Sequence, residues 1–167
     1  CLESDSFYIE IRHDINGRRP EPIVEAMLKY RESLRSLPPF QCSEQQKKAV
    51  LAVFPEITRE LAPVLDRVHA QIKSAYMHDG LMVTQCYPGC DMRSLRNPEL
   101  RVYDSPYPLM ALRMMAIHDI LFVDDNEEWF TAYSMRFGAK FRDPKTLKDH
   151  EQPLLEEFVK ARARFVR

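Results

Sequence analysis

Glycine is scarce in this chain, with four among 167 residues beside twelve prolines. A phosphate-cradling loop or a dinucleotide-binding turn needs closely spaced glycines, and neither pattern occurs. Long apolar runs are missing too. No stretch approaches the roughly 20 residues that carry a helix across a bilayer, so no membrane partner is expected. Nor does one sign of charge dominate: 24 Lys and Arg face 25 Asp and Glu, a net charge of −1. A sequence-independent nucleic-acid binder carries a basic excess, so no nucleic-acid partner is expected. Only the end from Lys160 to Arg167 is locally basic. It reads as the solvated end of a helix ahead of an anion contact. The cysteines (Cys1, Cys42, Cys86, Cys90) lack the spacing of a disulfide framework, and no signal peptide is visible. A cytoplasmic setting follows, although a chain that opens on Cys1 is open to having lost its start.

What is present is ordinary globular material, 45% apolar and 29% charged. A chain of this length buries roughly 70% of its unfolded surface without disulfides or a structural metal. One domain over residues 1–167 is expected.

Phe7, Ile9 and Ile11 alternate with polar residues, the period of a half-buried strand, and Asn16-Gly17 marks a turn. Ile23, Met27, Tyr30, Leu34 and Leu37 recur in steps of four and three, one stripe of a helix that Pro38-Pro39 ends. The run 49–54 is short and stopped by Pro55, and it reads as a buried strand in preference to a helix. A second amphipathic helix is predicted from Ile57, Leu61, Val64, Val68, Ile72 and Ala75, stopping at Gly80. Residues 81–87 and 109–115 read as strands, joined by a polar, arginine-bearing loop. Asn126 and its neighbours offer caps to a helix carrying Trp129, Phe130, Tyr133 and Phe137. A last helix from about Glu151 turns Leu154, Leu155, Phe158 and Val159 inward. The order β-α-β-α-β-β-α-α implies an α/β (α+β) fold, a four-stranded mixed sheet with packed helices. Thioredoxin-like and ferredoxin-like arrangements both fit it.

The densest chemistry lies in Gln85-Cys86-Tyr87-Pro88-Gly89-Cys90-Asp91-Met92-Arg93-Ser94-Leu95-Arg96-Asn97-Pro98, where a rigid strand hands over to a loop. Cys86 and Cys90 are three residues apart, which is not the spacing of a dithiol redox motif. Phenolate and thiolate each ligate haem iron singly, so Tyr87 or Cys90 is the candidate metal ligand. Arg93 and Arg96 have the forked donors that bind propionates or an acidic substrate, unless they only anchor the loop. Cys86 reads as a core residue, and Cys90 as a loop cysteine whose exposure beside Arg93 would lower its pKa. Arg113 and His118 are the remaining catalytic candidates, the latter as part of His118-Asp119.

The elements Gly80-Leu81-Met82, Pro88-Gly89-Cys90-Asp91, Leu95-Arg96-Asn97-Pro98, Ser105-Pro106-Tyr107-Pro108-Leu109 and Arg113-Met114 resemble a family of uncharacterised bacterial proteins. That family usually shows His where this chain has Tyr87, which counts against a role requiring imidazole there. Its members also carry an upstream Cys-Pro-Phe segment absent before Cys1, and if that segment completes the pocket a trimmed or divergent chain is expected. In order and texture the 82–114 stretch is also distantly similar to the haem-dependent guanidine N-hydroxylases. That likeness implies a haem-binding, oxygenase-like enzyme acting on a small nitrogen-containing substrate. The rival expectations are a non-catalytic α/β module that binds a ligand or protein, and a thiol redox protein using Cys86 and Cys90. The oligomeric state is not legible.

Overall fold

The computed structural model describes residues 6–40, 47–94 and 97–165. They form four strands and four α-helices: β1 (Phe7–Ile11), α1 (Glu21–Ser36), β2 (Ala49–Val53), α2 (Val64–His78), β3 (Leu81–Cys86), β4 (Leu109–Met114), α3 (Glu127–Phe137) and α4 (Gln152–Phe165). Short 3-10 segments follow β4 and α3. The strands make one mixed sheet in the order β1-β2-β4-β3. β1 and β2 are parallel, joined through α1, while β4 runs antiparallel to both β2 and β3. β1, β2 and β3 therefore point the same way, and their carboxyl ends lie along one side of the sheet. The expected mixed α+β architecture is what the chain adopts.

Contacts divide the chain into two compact units, Cys1–Tyr76 with Leu81–Met114, and Met77–Gly80 with Met115–Arg167. In the first unit the pleat sends Val50, Ala52, Met110, Leu112, Leu81 and Val83 into the core. Ile23, Met27 and Leu34 of α1 and Leu65, Val68 and Ile72 of α2 meet them there. Tyr76 donates its hydroxyl to the Met27 carbonyl at 2.6 Å, which ties the two helices together. Buried Lys48 points its ammonium at the Leu34 and Arg35 carbonyls, 3.5 Å from each, where the carbonyl end of α1 favours a cation.

The second helix begins later than its apolar stripe implies. Residues 57–63 form turns closed by Ile57 N–H to the Phe54 carbonyl and Leu61 N–H to the Thr58 carbonyl, at 3.1 and 3.0 Å. Ile57 is buried all the same, so a helix-like spacing there reflects core packing in turns.

In the second unit Asn126 caps α3, accepting the Trp129 N–H at 3.1 Å. Phe130, Tyr133, Phe141 and Phe158 build its interior, with the Phe141 and Phe158 rings stacked 4.4 Å apart. Leu154 and Phe158 of α4 face inward as expected, but Val159 is exposed, one position off the buried stripe. Arg164, in the basic end of α4, donates to the Asp124 carbonyl at 2.8 Å. No helix of the described residues is long and apolar enough to cross a membrane.

Candidate functional site

The loop after β3 is held by its own backbone. Cys90 N–H donates to the Tyr87 carbonyl at 3.1 Å, with Pro88 and Gly89 at the two middle positions of the β-turn. Gly89 has φ +82°, which the missing side chain permits, and its N–H donates to Asp104 at 2.8 Å. Tyr87 N–H reaches the Tyr103 carbonyl at 3.1 Å, so the far end of the loop returns to the same point. Asp91 pairs with Arg101 at 3.2 Å.

Beneath this turn lies a polar network on the helix-packed side of the sheet. Asp66, in the first turn of α2, accepts the Tyr87 hydroxyl at 2.6 Å and the Gln85 amide nitrogen at 2.9 Å. Gln85 is 3% exposed and Tyr87 8%. With its NH2 turned to the carboxylate, the Gln85 amide oxygen is left buried, with no hydrogen-bond partner among the described residues. Reversing the amide would set that oxygen against the Asp66 carboxylate, so the orientation is fixed by charge. The sulfur of Met92 lies 3.5 Å from the same amide nitrogen.

Burial raises the Tyr87 hydroxyl well above its usual range, and its bond to Asp66 adds to the effect. Burial also pushes the Cys86 thiol up to about 11, with Cys90 adding to it, so Cys86 is a neutral thiol near pH 7. Tyr103 is raised by burial, and it lies near Cys86, Thr84, Cys90 and Arg113. At the outer edge of the sheet, His69 of α2 meets the Val83 carbonyl at 3.1 Å. Burial lowers its pKa to about 4, which keeps the ring neutral.

The candidates named from sequence separate into groups. Tyr87 and Cys90 come together, their side chains within hydrogen-bonding reach. Cys90 is 1% exposed, however, so the exposed loop thiol expected beside Arg93 is instead part of the core. Arg93 is exposed and donates to the Pro98 carbonyl at 3.4 Å, anchoring its own loop. Arg96 lies outside the described residues. Arg113 is half-buried on β4, donating to the Met114 carbonyl at 3.0 Å. His118 is exposed in the 3-10 segment of the second unit, where its neighbour Asp119 is buried and accepts the Ala116 N–H at 2.7 Å.

Axial ligation asks a phenol or thiol to shed its proton and reach an iron. Tyr87 donates that proton to a carboxylate and Cys90 sits in the core, so as arranged neither fits the part. Among the described residues no group of three or more His, Cys, Asp or Glu is placed to hold a metal ion.

Asp66, Tyr103 and Asp104 were not legible as site residues. Asp66 meets Gln85 and Tyr87 across 19 and 21 positions, a pairing only the fold creates. Gln85 had a signal: an amide at an inward position of an apolar strand needs buried partners.

The fold and this network define a mixed-sheet α+β protein with a polar site at the end of an edge strand. The chain belongs to the family described as Domain of unknown function (DUF6875), whose model matches residues 1–148. No curated protein and no solved structure matches it.

Proposed function

We propose that the chain is a non-catalytic α/β ligand-binding module whose site is the network at the end of β3, and that its ligand is a small molecule presenting N–H donors. The observation that carries this is the buried Gln85 amide oxygen, without a donor among the described residues. A buried acceptor left unmade costs about 1–3 kcal/mol, and a ligand N–H recovers that cost. The adjacent Asp66 carboxylate favours a positively charged nitrogen over a neutral one.

Thermal unfolding of wild type and Gln85→Met, with methylammonium and with acetamide as probes, tests the reading. Wild type is expected to gain stability with probe concentration and Gln85→Met to gain none. Equal stabilisation of both proteins, or none in either, counts against it.

A haem-dependent oxygenase rests on the proximity of Tyr87 and Cys90, and it requires Tyr87 to leave Asp66 or Cys90 to leave the core. An absorbance spectrum separates the readings. A Soret band in the isolated protein, lost in Tyr87→Phe or Cys90→Ala, would replace the module with the enzyme.

A further inference from the structure

In sheets with parallel strands, ligands sit outside the carboxyl ends. A concavity lies there, in the loop between β1 and α1. It is a cavity of about 420 Å³ whose lining includes Asp14, Ile15, Asn16, Gly17, Arg18 and Arg19. The one carboxylate among its described lining residues is already engaged. Asp14 accepts both nitrogens of the Arg12 fork, at 2.7 and 2.6 Å, and that guanidinium holds its carboxyl down at about 2. Arg18 and Arg19 are exposed, and among the described residues neither guanidinium has a hydrogen-bond or ion-pair partner. Glu21, the acidic residue of the first turn of α1, does not line the cavity. With Asp14 neutralised by Arg12, the lining carries two uncommitted positive charges.

The loop is also shaped in advance. Gly17 has φ +75° and sits so close to Ile57 that an added Cβ would lie 2.8 Å from its side chain. Asn16 accepts the Arg18 N–H at 3.2 Å, and Pro20 and Pro22 stiffen the entry to α1. A loop held this way loses little freedom when it binds.

From the cavity and its two free guanidiniums we propose a binding site for the phosphate monoester group of a small molecule. Guanidinium forks match phosphate oxygens in pairs, and a phosphate dianion engages two forks at once. A carboxylate fills one. The cavity lies within the size range of small-molecule sites and leaves room for the body of the ligand. This site is separate from the Gln85 network and stands without it.

The test is an amide-resolved NMR titration of the 167-residue chain with inorganic phosphate, then with glycerol phosphate, at low ionic strength. Saturable shifts confined to residues 14–22 are expected, weakening about tenfold as salt is raised into the screening range. Arg18→Gln and Arg19→Gln should each weaken binding about tenfold, and the double variant should abolish it. Arg18→Lys/Arg19→Lys, which keeps charge but loses the forks, should fall between wild type and the double glutamine variant. Both side chains are exposed, so the remaining spectrum should not move. An absence of saturable shifts, binding that survives in the double glutamine variant, or acetate held as tightly as phosphate would overturn the proposal.

Discussion

Two loops at the same end of the sheet handle polar groups in opposite ways. After β3, Asp66, Gln85 and Tyr87 are drawn under the backbone and satisfy one another, leaving one amide oxygen over. After β1, Arg18 and Arg19 stay in solvent and satisfy nothing within the described chain. The connection between β2 and α2 touches both loops, with Ile57 against Gly17 and Arg59 against Gly89. The difference teaches where each loop puts its free energy. The buried network contributes to stability and leaves a single acceptor unmet among the described residues. The exposed arginines contribute little to stability and keep their whole charge in solvent.

The sharpest way to break that comparison is Asp66→Ala. It strands the Tyr87 hydroxyl and the Gln85 amide together, and a loss of about 3 kcal/mol is expected in urea unfolding. A loss under about 1 kcal/mol would mean the network is solvated and the contrast is not one of burial.

Acid should act on the same side of the sheet. The pKa of His69 is depressed on folding, so between about 4 and its unfolded value near 6.5 the unfolded chain binds the extra proton. Its contribution is intact above that window and is lost as pH falls through it. Wild type should lose about 2 kcal/mol more than His69→Gln between neutral pH and the bottom of the window, measured by urea titration at each pH.

The two glycines sharpen the picture further. Gly17→Ala meets both a positive φ and the Ile57 side chain, and should cost about 2 kcal/mol. Gly89→Ala meets the positive φ with only the mobile end of Arg59 nearby, 3.1 Å away, and should cost about 1 kcal/mol. Thermal unfolding of the pair should rank them in that order. The smallest effect belongs to Arg18→Ala, expected within about 0.5 kcal/mol of wild type in the same measurement.

Much of the fold was legible because strand and helix periods are local. A strand did form where Phe7, Ile9 and Ile11 alternate, but Ile9 and Ile11 lie exposed and Tyr8 of the opposite face packs against the core. The run Ala49–Val53 became β2, and Asn126 became the cap of α3. The 57–63 stretch misled because turns can bury Ile57 at a spacing that a helix also uses. The site was legible only in part. The string from Gln85 to Cys90 was found, since its residue types are unusual for the end of a strand. Its electrostatic sense was not, because Asp66 arrives from another element and Cys90 turns inward.

By itself the sequence determined most of the elements and their order, which depend on neighbours along the chain, and the balance of charge, which depends on composition alone. Only the tertiary structure decided that β4 inserts between β2 and β3, that the Tyr87 hydroxyl donates a hydrogen bond to Asp66, and that the Arg18 and Arg19 guanidiniums have no partner among the described residues. Those outcomes depend on which distant groups share a space and a desolvated surface, and no local period encodes that.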